Sequence, residues 1–153
     1  MSLNETSEVE KKTWDLTRET LRKEERLTRK KLIEDTHKNG MSVKTPAIVM
    51  VYHFTELPET FPAQALFTVS KRIFKRAHDR NRVKRLLREA YRKQKHIVYS
   101  SLTEQNKQAA FLFIFTGRQQ PNSAYVHGKI FELLKRFNAQ FDKTDSSEKV
   151  WIE

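Results

Sequence analysis

Residues 109–116, AAFLFIFT, most constrain how this chain can fold, because only the last of them is polar. The run is short for a buried helix, and it lacks the apolar–polar alternation of a strand with one wet face. It therefore predicts a strand that is central in a β-sheet or buried on both faces.

Five further segments carry patterns of regular secondary structure. Strands are predicted at 46–54 (PAIVMVYHF) and 65–71 (ALFTVSK), where β-branched and aromatic residues dominate. Helices are predicted at 14–38, ending at an Asn39-Gly40 stop signal, at 81–98, and at 124–141 behind a Ser123 cap. A polar linker is expected at 100–108.

The order of these segments predicts an α+β two-layer sandwich, with helices packed on one face of a sheet. We expect one domain at 14–141, a flexible tail at 1–13 and a polar tail at 142–153. Tyr52, His53, Thr68 and Ser70 offer polar or aromatic groups for the other sheet face. Such a face beside a basic helix suits single-stranded nucleic acid.

The segment 81–98 combines a core-facing arc with a cationic one. At about 100° per residue, Val83, Leu86, Leu87 and Ala90 share one arc. Arg82, Lys84, Arg85, Arg88 and Arg92 occupy the rest of the circumference. Only Glu89 interrupts the run, so helical ion pairs do not account for it. A solvated helix face is the plain interpretation, and a polyphosphate partner is the functional one.

Composition supports the functional interpretation. The net charge is +11 at pH 7, as expected of a nucleic-acid binder. Cysteine is absent, which excludes disulfides and thiolate metal sites. No apolar run has the length of a membrane span, and the polar N-terminus lacks a secretory signal pattern. We therefore expect a cytoplasmic protein without a membrane partner, and no obligate protein partner is evident.

One cluster of motifs resembles the protein component of bacterial ribonuclease P. It comprises Ser70-Lys71-Arg72, a short connector, and Arg80-Asn81-Arg82-x-Lys84-Arg85-x-x-Arg88, following a predicted strand. The segment 23–31 (KEERLTRKK) is a second marker. The resemblance covers about Leu21 to Phe141. It implies an αβββαβα sandwich of the type named for the second domain of ribosomal protein S5, with a left-handed βαβ crossover.

The resemblance also implies a function and a set of RNA contacts. In the family, a catalytic RNA subunit carries the chemistry and holds the Mg²⁺, and the protein binds that RNA and the 5′ leader of precursor tRNA. The complex is an endoribonuclease that frees the mature tRNA 5′ end. By motif position, the RNA-binding residues would be Lys71, Arg72, Arg80, Asn81, Arg82, Lys84, Arg85 and Arg88.

The leader cleft is the second site that the resemblance implies. Its lining would come from Ile33, His37, Val51, Tyr52, Thr68 and Ser70. Some family members have aromatic residues where this chain has Ile33, His37 and Val51, with Tyr52 one residue away. Successive strand residues face opposite sides, so only Val51 or Tyr52 can line the cleft. The ungapped alignment from Gly40 favours Val51.

Three other functions compete with this one. A ribosomal or other structural RNA-binding protein would share the fold, but it need not carry the Arg-Asn-Arg motif after Ser-Lys-Arg. A basic-region DNA dimer would need apolar heptads after residue 92, and the chain turns polar there. A metal-independent nuclease would need paired histidines, whereas the five here are scattered. No catalytic or metal-binding residue is therefore predicted in this chain.

Overall fold

The structure, a computed structural model, describes residues 19–58 and 60–152, with side chains up to residue 142. The predicted tail 1–13 and the predicted helical residues 14–18 lie outside the described residues. The elements are a 3-10 turn (Lys23–Glu25), α1 (Lys30–Asn39), β1 (Met41–Lys44), β2 (Ile48–Phe54), β3 (Ala63–Val69), α2 (Ala77–Gln94), α3 (His96–Glu104), β4 (Ala109–Phe115) and α4 (Ser123–Ile152).

Four strands form one mixed sheet in the order β1-β2-β4-β3. Strand β4 pairs antiparallel with β2 and parallel with β3. Parallel neighbours need a crossover connection, and α2 and α3 supply it. Every residue of β4 except Ile114 is buried, which confirms the central strand predicted from its apolar run.

The main core lies between one sheet face and the helices α2, α3 and α4. Aromatic side chains dominate it: the Tyr52 ring lies 4.8 Å from that of Phe137, and the rings of Phe67 and Phe113 stack at 5.4 Å. Leu87 of α2 and Ile130 of α4 are fully buried in the same core. Among the described residues, no helix is long and apolar enough to cross a membrane.

Helix α1 packs against β2 and β4 at the other face, where Val51 and Leu112 are buried outside the main core. Gly40 ends this helix, and its N–H donates to Thr36 O at 2.9 Å. A Cβ at Gly40 would lie 2.7 Å from Val51 Cγ1, so close packing requires glycine here. Helices therefore lie on both sheet faces, and the sequence-based assignment to one face was wrong.

The first helix is shorter than predicted. Residues 19–29 contain only the 3-10 turn and otherwise run beside β3 as an edge segment. Arg26 forms a parallel bridge with Ala65, and Leu27 N–H donates to Ala65 O at 3.0 Å. An unpaired edge strand such as β3 tends to pair with another extended segment. Here that pairing outweighs the helical propensity of the lysines and arginines in residues 19–29.

A buried ion pair anchors the edge segment. Glu25 and the Lys95 ammonium are paired, with side chains 1% and 6% exposed. Tyr99 OH donates to Glu25 Oε1 at 2.7 Å, and Arg22 N–H donates to Glu25 Oε2 at 2.7 Å. The same carboxylate thus joins the edge segment to the α2–α3 junction.

The basic helix also ends earlier than predicted. Helix α2 stops at Gln94, and α3 covers most of the segment that was expected to be a polar linker. Val98 and Leu102, at helical spacing, are fully buried. Asn106, at φ 53°, ends α3, and Lys107 N–H donates to Leu102 O at 3.0 Å. This is the left-handed C-terminal signal that asparagine tolerates.

Helix α4 extends beyond its predicted end at residue 141, since its backbone is helical as far as Ile152. Its cap is Asn122 rather than the predicted Ser123. Asn122 Oδ1 accepts from Tyr125 N–H at 2.7 Å, and Asn122 O accepts from Val126 N–H. Asparagine and serine are comparable caps, so the sequence alone did not decide between adjacent candidates.

Candidate nucleic-acid interface

Helix α2 separates its apolar and cationic residues as predicted, with one exception. Val83, Leu87 and Ala90 are buried, whereas Leu86 is only half-buried against the core edge. Asn81, Arg85 and Arg88 are exposed and Lys84 is half-buried. The buried arc is thus rotated away from Leu86, towards Leu87 and Tyr91.

The cationic face is weakly neutralised by the protein itself. Arg92 pairs with Glu89 at 2.8 Å, and this hydrogen bond lowers the pKa of Glu89. Within residues 19–58 and 60–142, Lys84, Arg85 and Arg88 make no ion pair. Their mutual repulsion favours a polyanion as the partner.

Arg80 connects α2 to the connector that precedes it. Its Nη1 donates to Phe74 O and Lys75 O, each at 2.8 Å. The connector begins with a turn at Ser70, whose Oγ accepts from Arg72 N–H at 3.2 Å. Lys71 and Arg72 are exposed on that turn. Arg80 therefore fixes the position of the connector that carries them.

Arg82 connects α2 to the loop between β4 and α4. Its Nη1 donates to Gln120 Oε1 at 2.8 Å and to Pro121 O at 3.2 Å. Gln120 Nε2 donates to Asp79 O at 3.3 Å, back in the first turn of α2. The loop is shaped by Gly117, where a Cβ would lie 2.7 Å from the Phe115 ring. The sequence analysis missed Gln120, and glutamine in a polar turn gives no signal that could have identified it.

Asn81 lies between these two arginines with an exposed side chain. It makes no side-chain hydrogen bond to any other described residue. An amide can both donate and accept, so this side chain can read a base edge as well as a phosphate. Lys71 and Arg72 lie on the turn after β3, and Arg80 joins the connector that follows this turn to α2.

The predicted leader-cleft residues divide between the two sheet faces. Val51 is buried on the face against α1, where Thr68 of β3 is half-buried. On α1 itself, Ile33 is half-buried and His37 is exposed. Ser70 is half-buried just after β3 and shapes the turn described above.

Tyr52 lies on the opposite face, in the main core. Its side chain is buried, its OH donates to Gln140 Oε1 at 2.8 Å, and burial raises its pKa. It therefore does not share a surface with Val51, and of the two residues that the sequence analysis left open it is Val51 that lies on the α1 face. The sheet face that packs against α1 therefore has no tyrosine from β2 on which a base could stack.

Metal ligation by the protein was also considered at this surface. Within the described part of the chain, no three histidine, cysteine, aspartate or glutamate side chains come together.

Comparison with known proteins places this arrangement in a family. The family model described as ribonuclease P matches residues 21–138. A ribonuclease P protein component from Chlorobaculum tepidum is 32% identical over 63% of this chain and 68% of its own length. One from Porphyromonas gingivalis is 33% identical over 67% of this chain and 74% of its own length.

Solved structures agree with the fold. The ribonuclease P protein of Thermotoga maritima superposes with a TM-score of 0.59 at 21% identity, covering 73% of this chain and 96% of its own. That of Staphylococcus aureus gives 0.58 at 19% identity, covering 72% and 93%. With its αβββααβα order of elements, Ser-Lys-Arg turn and Arg-Asn-Arg helix, this chain belongs to the ribonuclease P protein component family.

Proposed function

We propose that this chain is the protein subunit of a cytoplasmic ribonuclease P, which removes the 5′ leader of precursor tRNA. It binds the catalytic RNA subunit through the exposed face of α2 and the Ser70–Arg72 turn. The observation that carries the proposal is the cluster of cations Lys84, Arg85 and Arg88, which pair with no acidic side chain among the described residues, beside the exposed amide of Asn81. Arginine forks bind phosphate bidentately and stack on bases, which suits a folded RNA.

The 5′ leader of precursor tRNA is the proposed ligand of the α1 face of the sheet. The residues proposed to line it are Ile33, His37, Val51 and Thr68, and Lys71 and Arg72 lie on the exposed turn that follows β3. Leaders differ in sequence, so recognition has to depend on backbone and shape contacts. Because Tyr52 is in the core, leader binding here depends on cations and aliphatic contacts more than on tyrosine stacking.

The hydrolytic chemistry is proposed to belong to the RNA, which also holds the Mg²⁺. The five histidines are scattered along the sequence, and this chain is instead rich in phosphate-binding lysine and arginine side chains. Its contribution is to bind and orient RNA, lowering electrostatic repulsion between the two RNA molecules.

Reconstitution tests this function. The purified protein is combined with a transcript of a bacterial ribonuclease P RNA and assayed on precursor tRNA over a range of Mg²⁺ concentrations. We expect cleavage at the mature 5′ end at Mg²⁺ concentrations where the RNA alone is inactive, and no cleavage by the protein alone. Site-specific cleavage by RNA-free, nuclease-free protein would contradict the division of roles.

Substitutions then locate the interface. Arg85→Ala should weaken binding to the ribonuclease P RNA without changing thermal stability, because Arg85 is exposed and makes no hydrogen bond or ion pair with another described side chain. Lys135→Ala, an exposed cation of α4, is the charge-matched control. Equal weakening by both would mean that net charge, rather than the α2 face, governs binding. Preferential binding to ribosomal RNA would support the structural RNA-binding alternative.

A further inference from the structure

Arg80 and Arg82, on either side of Asn81, both make their hydrogen bonds within the protein through Nη1. In Arg80, both hydrogens of Nη1 are directed to the carbonyls of Phe74 and Lys75. In Arg82, both are directed to Gln120 Oε1 and Pro121 O. Within the described residues, the Nε and Nη2 atoms of both side chains donate no hydrogen bond to a protein group.

That division matters because of guanidinium geometry. The Nε–Nη2 edge presents two parallel N–H groups that match two phosphate oxygens. Anchoring Nη1 fixes the plane of the group and leaves this edge for an external ligand. A free arginine side chain loses about 2 kcal/mol of rotamer entropy when it is ordered, so anchoring before binding reduces that cost on complex formation.

Gln120 is the side chain that completes the anchor of Arg82. It accepts from Arg82 Nη1 and donates to Asp79 O, so it links the β4–α4 loop to the first turn of α2. Gln120 is exposed and uncharged, and the apolar core does not include it. Its two hydrogen bonds both hold the β4–α4 loop against the helical turn that carries Arg80-Asn81-Arg82.

We infer that Gln120 is a positioning residue of the RNA interface, which holds the Arg82 guanidinium with its Nε–Nη2 edge directed to an RNA phosphate. The inference rests on the proposed function and deepens it. It assigns a role to the loop between β4 and α4, which contributes no residue to the Arg-Asn-Arg or Ser-Lys-Arg motifs. Gln120 itself does not touch the phosphate; it acts through Arg82.

The test is a double-mutant cycle on binding of the full chain to a ribonuclease P RNA transcript. Gln120→Met retains the side-chain length and removes both hydrogen bonds. Gln119→Met makes the same chemical change one residue earlier, at an exposed side chain without a hydrogen bond to the described protein. Thermal unfolding of each variant confirms that the domain is intact.

Gln120→Met should weaken RNA binding by about 2- to 10-fold, which is the effect expected from losing the hydrogen bond that holds the Arg82 side chain in place. Gln119→Met should bind as the unsubstituted protein does. In an Arg82→Ala background, Gln120→Met should have no further effect, because its target is gone. The dependence of affinity on salt should be unchanged by Gln120→Met, since no charge is removed.

Two results would overturn the inference: unaltered binding by Gln120→Met, or a weakening that persists in the Arg82→Ala background. A merely structural role would lower thermal stability and would not depend on Arg82. Arg85→Ala, measured in parallel, decides separately on the proposed function. If Arg85→Ala weakens binding and Gln120→Met does not, the α2 interface stands and only the positioning role of Gln120 fails.

Discussion

Leu86 and Leu87 are adjacent in α2 but occupy different environments. Leu87 is fully buried, whereas Leu86 is half-buried at the core edge. Leu87→Ala should lower the free energy of unfolding by about 2–5 kcal/mol, since it deletes a buried side chain and leaves a cavity. Leu86→Ala should cost clearly less. Urea denaturation of both variants measures the difference, and equal costs would contradict the observed rotation of the helix.

Tyr52 offers a second residue-scale test, because its hydroxyl and its ring have separable roles. Tyr52→Phe keeps the ring packed on Phe137 and removes the hydrogen bond to Gln140. Stability should fall by about 0.5–1.5 kcal/mol, measured by chemical denaturation.

The same variant should leave leader recognition unaffected. The ratio of affinities for precursor and mature tRNA, measured with the reconstituted complex, should equal that of the unsubstituted protein. A leader-specific loss with normal stability would place Tyr52 at the RNA surface and refute its assignment to the core.

At the scale of elements, the buried Glu25–Lys95 pair joins the edge segment to the α2–α3 junction. Glu25→Leu removes one partner and leaves an uncompensated buried charge, so stability should fall by about 3–5 kcal/mol. Adding Lys95→Met should recover a large part of that loss, because the buried charge is then gone. Denaturation curves of the two single variants and the double variant give the coupling.

A small effect of Glu25→Leu, below about 1 kcal/mol, would mean that the pair behaves like a solvent-exposed one. Since the edge segment shields β3, a destabilised variant should also show faster backbone hydrogen exchange at Leu27 and Ala65. This readout distinguishes detachment of the segment from general loss of stability.

For the whole molecule, the positive charge should set the salt dependence of the proposed RNA binding. If the α2 face and the Lys71–Arg72 turn neutralise about six phosphates, log K should fall against log salt with a slope of about −4 to −5. Affinity titrations at several salt concentrations measure this slope. A slope near zero would show that the basic surface is not the binding surface.

Buried tyrosines set the alkaline limit of the fold. Burial raises the pKa of Tyr91 and of Tyr99 above the ordinary value of 10.0. The folded state therefore retains protons on these side chains that the unfolded chain loses, and the stability that they contribute is complete below about pH 10 and falls as the pH rises beyond it. In Tyr91→Phe the fall between about pH 9 and pH 11 should be smaller. Denaturation midpoints across this range provide the measurement, and an unchanged pH profile would contradict the linkage.

The sequence by itself determined the central strand β4, the two-sided character of α2 and the family motifs. Each depends on local pattern: an uninterrupted apolar run, a helical repeat of leucines and cations, and a fixed spacing of arginines around Asn81. These patterns can be recognised without knowing the tertiary contacts, because they follow from burial and helix geometry within one segment.

Only the tertiary structure decided the remaining features. Residues 19–29 have good helical propensity, yet pairing with β3 and the Glu25–Lys95 contact hold them extended beyond a single 3-10 turn. Strand alternation already put Val51 and Tyr52 on opposite faces and the alignment favoured Val51 for the cleft, but only the packing against Gly40 and Phe137 fixed which face each residue occupies. Gln120 acquires its role from Arg82, a residue distant in sequence. In each case the deciding contact is long-range, and local propensity is too weak to oppose it.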